Sequence, residues 1–447
     1  MQWQYVVISV ILLYKSLLFS PVKCGTTDGL DVTTKGFQNK FKVAVGMNKP
    51  KFHTLPIHLH HMKTKPGYIH SSVVRQLMSK DSHNFPQGGN IWPVAIYWTF
   101  INVGSPPVQF PVNVDSGSSN LDIEGAGCSG CNPKPPNNAY DASKSTTSKV
   151  GSPPTFSNSY LTCDLKNMTA RCTVSGNVYE DDVSIGSLGP VRVQFGSITK
   201  MTEDADQWKI VTGVMGFIGN GNRNVFAQLV KGNKVDAIFA VCFNNNGSKS
   251  NGTLTLGGID PNLYTGIMQY VPRKGHFYGV DVLSFTIGGN KKPIQGLSAE
   301  SILDTGTNIL LLPDEGFASM KQEFINTCNT GGAKLPGICT EPGQPTLFDG
   351  ACFNLTSTDV AMFPFFHIGL DNNVNLEMHP EDYLLQGDVR ADGDKSLYCL
   401  AVRGTGPGGY FIFGDTLMRN YYLVFDNEKN QIGWAKVNKE ACGAQPF

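Results

Sequence analysis

The sequence predicts an all-β protein, mainly strands with short helices, built as two related halves. Three observations carry this. The chain has 447 residues, too many for one ordinary hydrophobic core and suited to two domains of average size. Its 49 glycines and 26 prolines are spread along the whole length, as many short strands joined by turns require. A short pattern also occurs twice. An apolar run (Phe110 to Val114, then Ile302-Leu303) leads into Asp115-Ser116-Gly117 and Asp304-Thr305-Gly306, and a hydroxyl residue follows each, Ser118 and Thr307.

Hydrophobic content of 40% with 16% charged residues describes a globular chain with a neutral polar surface, not a disordered one. The formal net charge of zero gives no argument for nucleic acid or an anionic membrane, and neither is expected as a partner. The zero hides an asymmetry. Residues 1–88 hold eleven of the 36 Lys/Arg and three of the 36 Asp/Glu, leaving 25 basic and 33 acidic residues, a net of −8, in the remainder. A basic leader precedes an acidic body.

The first element is an uncharged run from Tyr5 to Tyr14, followed by Lys15 and a second apolar stretch, Ser16 to Phe19. Small and turn residues follow up to Gly25. This reads as a cleaved secretory signal over residues 1–24, although no Lys or Arg precedes the apolar run. The alternative is an uncleaved anchor, but the run is too short to cross a bilayer without burying Lys15. No later stretch is long enough to span, so no transmembrane anchor is expected in the mature chain. Cysteine usage agrees: of 11 cysteines, Cys24 leaves with the signal and an even ten remain. Four sequons, Asn167, Asn246, Asn251 and Asn354, fit a glycosylated surface. Together these place the protein in the secretory pathway, bound for the outside of the cell or for a lysosome or vacuole.

Residues 25–88 form the next segment, rich in lysine and holding six of the nine histidines: His53, His58, His60, His61, His70 and His83. After Gly88-Gly89 the texture changes to alternating runs. Val94–Thr99 and Val108–Val114 read as strands joined by the turn Gly104-Ser105-Pro106-Pro107. Short helices are expected at Asn224–Lys231 and, after Pro313, at Asp314–Asn326. Each half later carries an apolar pair followed by glycine, Val214-Met215-Gly216 and Ile412-Phe413-Gly414. These lie 101 and 110 residues beyond the two aspartates. Duplication at this length indicates two lobes, 89–270 and 271–447, with a cleft between them as the natural binding site.

Two carboxylates facing each other across a cleft can hydrolyse a peptide without metal or cofactor. They cannot both ionise cheaply at close range, so they share one proton and one pKa rises. The ionised member draws a proton from a trapped water, while the protonated member polarises the scissile carbonyl. Gly117 and Gly306 let the backbone turn tightly after each strand. Ser118 and Thr307 are placed to hydrogen-bond the outer carboxylate oxygens, and Ser116 and Thr305 to cross-link the two loops beneath. The ordinary alternative for a single such tripeptide is an Asx turn; a pair in register with the duplication points to the dyad. A metal-dependent hydrolase lacks any paired-His motif here.

On these residues the chain resembles the pepsin-like aspartic endopeptidases, over roughly residues 90–442. Val112–Leu121 resembles the first catalytic loop and Ser301–Asn308 the second. Leu256–Gly266 resembles the interlobe connection. Phe411–Asp426 with Ile432-Gly433 resembles the closing strands. The resemblance implies the bilobal pepsin-like acid protease fold, catalytic Asp115 and Asp304, and an extended polypeptide substrate bound in the interlobe cleft as a strand. It also suggests disulfides Cys128–Cys131, Cys352–Cys399 and Cys242–Cys442, with Cys163–Cys172 and Cys328–Cys339 as local staples. Connectivity does not follow from sequence alone, and Cys128-X-X-Cys131 also admits a redox or zinc reading, for which a second pair at zinc spacing is missing.

Two departures from the family stand out. The family has a flap hairpin with Tyr-Gly at its tip. Here that slot falls on Thr169-Ala170, and the nearest tyrosine is Tyr160. Asp122 stands where the family often has Trp, so it either faces solvent or adds a carboxylate to the substrate site. Tyr160, Asp122 and Thr169 are therefore the substrate-binding candidates. Thr54–Lys65 resembles a propeptide strand, so residues 25–88 read as an intramolecular inhibitor released when acid neutralises the carboxylates that hold it. The histidines, charging near pH 6, either add repulsion or are solvated surface residues. The expected protein is a monomeric aspartic endopeptidase made as a secreted zymogen. Its rival is a weakly active or inactive peptide-binding glycoprotein on the same scaffold.

Overall fold

The computed structural model describes residues 42–45, 51–54, 82–90, 96–131, 138–161, 171–201, 211–246, 249–289, 293–297, 301–329, 334–386, 396–406 and 409–444. The chain divides into residues 1–70 and residues 71–447. In the first unit the described part is an antiparallel pair, Lys42–Val45 with Lys51–Thr54, Lys42 opposite Thr54. The expected signal, the leader up to residue 81 apart from that pair, Asn167 and Thr169 lie outside the described residues.

The second unit is built mainly of strands, as composition and patterning predict. Its first strands follow the period-2 rule. Ile96–Val103 buries alternate side chains through most of its length, then turns and returns antiparallel as β1 (Val108–Asp115). The first strand extends past the expected Thr99, because Phe100 to Val103 continue the alternation. Next come β2 (Leu121–Ser129), the long meander β3 (Lys149–Leu161), β4 (Arg171–Ile185) and β5 (Leu188–Met201), and the short β6 (Gly213–Gly216). These belong to a sheet of thirteen strands that the chain's last strands, Tyr421–Asp426 and Gln431–Val437, also enter. Strand His83–Asn90 pairs in this sheet with Lys249–Leu256, so the body takes in residues upstream of Gly88-Gly89.

Helix α1 (Val225–Lys231) starts where the Asn224 side chain accepts a hydrogen bond from Ala227 N, 2.9 Å, an ordinary N-cap. The second half repeats the scheme with shorter strands: β7 (Ser301–Leu303), β8 (Leu310–Leu312), α2 (Asp314–Asn329), β9 (Val402–Gly404), β10 (Phe411–Phe413) and α3 (Asp415–Met418). α2 runs three residues beyond the expected Asn326.

The strands that carry the repeated motifs are distinctive. β6, β7, β8 and β10 are buried at every position, and β1 over its last six residues. Such strands read as continuous apolar runs because both faces are covered. They also pair in parallel: β6 with β1, β10 with β7, and β9 with β8. The loops leaving their ends are thereby held by core on both sides.

Disulfides join Cys128–Cys131, Cys242–Cys442, Cys328–Cys339 and Cys352–Cys399. Cys172 is also disulfide-bonded; its expected partner, Cys163, lies outside the described residues. The Cys242–Cys442 bond closes 200 residues and ties the sheet to the chain's last turn. The neighbouring Asn251 donates from Nδ2 to Gly443 O, 2.6 Å. Asn354 is exposed. Among the described residues no helix is long and apolar enough to cross a membrane, and no cluster of His, Cys, Asp and Glu could hold a metal ion.

Candidate active site

β1 ends at Asp115 and β7 ends one residue before Asp304. Each loop is fastened to the parallel strand beside it. Phe217 N donates to Asp115 O, 3.0 Å, and Asp304 N donates to Phe413 O, 3.0 Å. Both strands then meet the loop that follows each aspartate. Ile218 N donates to Ser118 O at 2.9 Å, and Asp415 N to Thr307 O at 2.8 Å. This explains the apolar pair and glycine of each half. A Cβ on Gly216 would stand 2.5 Å from Asn120 N, and one on Gly414 2.2 Å from Ile309 O.

Ser116 and Thr305 join the two loops as the sequence reading expected, and they do so reciprocally. Ser116 N donates to Thr305 Oγ1 and Thr305 N to Ser116 Oγ, both 2.9 Å. Each hydroxyl then donates across to the other half, Ser116 to Leu303 O at 2.8 Å and Thr305 to Val114 O at 2.6 Å. All four groups are buried, so each bond leaves a steep cost if broken.

This cross-link brings the two carboxyls face to face. The backbone N of the glycine two residues on donates to each: Gly117 to Asp115 Oδ1 and Gly306 to Asp304 Oδ1, both 2.8 Å. Neither glycine has a positive φ, so the turn itself does not demand glycine. Space does. A Cβ on Gly117 would lie 2.5 Å from Asp304 Cγ, and one on Gly306 would lie 2.6 Å from Asp115 Oδ1. Each glycine thus makes room for the opposite carboxyl.

Thr307 Oγ1 donates to Asp304 Oδ2, 2.7 Å, as expected. Its counterpart differs. The Ser118 hydroxyl stands close enough to favour the Asp115 carboxylate, yet it lies outside hydrogen-bond geometry. Burial, and next the charge of Asp304, push the Asp115 pKa well above the usual carboxylate range, and the two carboxyls are within hydrogen-bond reach of each other. Asp115 is buried, whereas Asp304 is partly exposed, so the pair is open to solvent on one side.

A third acid, unremarked in the sequence, joins them. Asp415 opens α3 and is buried with neither oxygen hydrogen-bonded among the described residues. Burial, then Asp304, then Asp115, hold its pKa well above the usual range. The buried Tyr97 hydroxyl is pushed up by burial and by Asp415. The available signal was a break in the repeat: Gly414 is followed by Asp415 where Gly216 is followed by Phe217.

Asp122 does not face solvent. It is buried on β2 because three donors meet its carboxylate: Arg223 Nη2 on Oδ1, and Tyr160 Oη (2.7 Å) and Asn158 Nδ2 (2.5 Å) on Oδ2. Arg223 and Asn158 gave no warning in the sequence, since they lie 101 and 36 residues from Asp122.

Comparison with known proteins agrees with this geometry. The family described as eukaryotic aspartyl protease matches residues 96–437. Aspartic proteinase 36 of Arabidopsis thaliana is 26% identical over 418 residues, covering 85% of this chain and 81% of that protein. Chymosin of Camelus dromedarius is 27% identical over 349 residues, and gastricsin of Mus musculus 25% over 351, each covering 76% of this chain and 81% of the relative. With a family match across most of its length and two interlocked Asp-Ser/Thr-Gly loops at its centre, the chain belongs to the eukaryotic aspartyl proteases and is a pepsin-like aspartic endopeptidase, a peptide hydrolase.

Proposed function

We propose that Asp115 and Asp304 are the catalytic dyad and that they work as a pair sharing one proton. The observation that carries this is the meeting of the two carboxyls over each other's glycine. A water held between them loses a proton to the ionised member as it attacks the scissile carbonyl. The protonated member gives its proton to the carbonyl oxygen, and the collapse of the tetrahedral intermediate returns both to the starting state. Burial and the adjacent charge keep a proton on the pair to higher pH than a lone carboxyl would.

The enzyme is made as a zymogen in the secretory pathway, with residues 1–24 as its signal and the basic, histidine-rich leader from residue 25 as an intramolecular inhibitor; the strand His83–Asn90, first read as the end of that leader, stays with the body because it pairs in its sheet. The charge contrast between leader and body supports this. The mature body is a monomer of two lobes that divide near residue 270, acting outside the cell or in a lysosome or vacuole. The test is cleavage of an unfolded protein at pH 3–5, with and without a statin-type peptide inhibitor. The full-length chain should shorten by about 60 residues on acidification and then cleave. A chain already active at neutral pH without shortening overturns the zymogen reading, and retained cleavage in Asp115→Asn or Asp304→Asn overturns the dyad.

A further inference from the structure

The first half holds a buried ion pair that the dyad chemistry does not use. Asp122 and Arg223 form an ion pair, the Arg223 side chain 19% exposed and the Asp122 side chain not exposed. Three alternate residues of β3 converge on them. The Phe156 ring lies under the Arg223 guanidinium, 4.8 Å from its carbon. Asn158 and Tyr160 both donate to Asp122 Oδ2. Residues two apart on a strand share a face, so one carboxylate and one guanidinium grip that whole face of β3. Arg223 is itself fixed, its carbonyl accepting from Leu121 N at 2.7 Å, next to Asp122.

The grip reaches toward the catalytic pair. The hydroxyl of Tyr160 is pushed well above its usual pKa by burial first, then by Asp122, and also by the charge of Asp115. Phe156 and Tyr160 pack against the cluster that holds Val214. Val214 of β6 pairs with Asp122 of β2 on one side and with Asn113 of β1, two residues before Asp115, on the other, so the grip lies one strand from Asp115 while the Tyr160 hydroxyl is held by Asp122. Charge-assisted bonds to a buried carboxylate are roughly twice as strong as neutral ones and directional, which suits a fixed placement of one ring.

We propose that Asp122, paired with Arg223, is a positioning residue that holds Tyr160 and the β3 strand at the edge of the catalytic site, an ionic latch in place of an apolar wall. The proposal rests on the dyad reading above. It also accounts for the aspartate itself: without its three donors a buried carboxylate at this position would be strongly unfavourable, so the cluster was assembled as a unit.

The test separates positioning from folding. Replacing a buried ion pair by apolar residues of similar size is often neutral or stabilising, so Asp122→Leu with Arg223→Met gives a folded chain without the latch. With a fluorogenic peptide that the wild type cleaves, this double variant should melt close to wild type and lose about 30-fold in kcat/KM, mainly in kcat. Tyr160→Phe should lose about tenfold, and the triple variant no more than the double one, since all act through one contact. Asp122→Asn keeps an oxygen for Tyr160 and should retain at least about fivefold more kcat/KM than Asp122→Leu. A double variant within about twofold of wild-type kcat/KM, additive losses in the triple variant, or equal activity of Asp122→Asn and Asp122→Leu would each overturn the latch. If the double variant does not fold, the Asn and Leu single variants decide. A wild-type chain that cleaves nothing refutes the dyad, whereas an active wild type with indifferent variants refutes only the latch.

Discussion

The two Asp-Ser/Thr-Gly loops share a backbone arrangement and differ in what surrounds it. In both, a doubly buried strand runs parallel to a second one and ends at a loop whose glycine leaves room for the opposite carboxyl. In both, a hydroxyl after the aspartate spans to the other loop. Beyond this frame the halves part. Asp304 accepts a bond from Thr307, while Ser118 makes none to Asp115. The first half has Phe217 after its glycine and an ionic cluster at Asp122; the second has Asp415, whose carboxyl finds no hydrogen-bond partner among the described residues. The symmetric part is what a shared proton requires. The asymmetric part gives the two carboxyls different surroundings.

The comparison breaks most directly at the aspartates. Asp115→Asn and Asp304→Asn should each lower kcat by about 10⁴-fold in a peptide-cleavage assay, because neither carboxyl can be both base and acid. A large loss in only one variant would refute the symmetric reading. The glycines come next. Gly117→Ala and Gly306→Ala should each cost about 100-fold in kcat/KM, since the added methyl pushes the opposing carboxyl aside. Kinetics equal to wild type in either variant would show that the close approach is not needed.

The cross-link gives a smaller effect, read as stability. Thr305→Val and Ser116→Ala each strip a buried N–H of its acceptor, and each should cost about 1–3 kcal/mol in denaturant unfolding. The double variant should cost less than the sum, because the two hydroxyls serve one reciprocal pair. The outer hydroxyls sharpen the contrast further. Thr307→Val should lose about tenfold in kcat/KM, the worth of a charge-assisted bond, and Ser118→Ala less than about threefold.

The last contrast is in the pH dependence of stability. Asp415 binds its proton more tightly folded than unfolded, because burial and two neighbouring acids oppose its charge. Its favourable contribution is complete below pH ~4, the range where the unfolded carboxyl titrates, and is lost as pH rises through the raised folded pKa. Asp415→Asn should remove this slope, about 1.4 kcal/mol for each pH unit in that window. The check is thermal melting of both proteins from about pH 3.5 upward, starting where the unfolded carboxyl titrates: the variant should gain on wild type as pH rises. Parallel curves would mean that Asp415 keeps an ordinary pKa.

Much of the frame was legible in the chain. The two tripeptides, the apolar pairs with glycine and the strand read at Val94–Thr99 are local patterns, and local patterns survive folding because they reflect strand period and burial; that strand runs on to Val103. The role of Ser116 and Thr305 followed from the pairing of the motifs. What was misread shares one cause. The need for Gly117 and Gly306 looked like a backbone requirement and is a matter of space across the halves. Asp122 looked free to face water and is buried under Arg223, Asn158 and Tyr160.

By itself the sequence determined the class of fold, the strands that end at Asp115 and Asp304, and the kind of chemistry two facing carboxyls can perform. These depend on residue type and short spacing. Only the tertiary structure decided which polar side chains are buried and what they face: the ionic cluster at Asp122 and the buried carboxyl of Asp415. The physical reason is that a buried polar group is tolerable only through partners such as Arg223, 101 residues from Asp122 and unmarked by any local pattern.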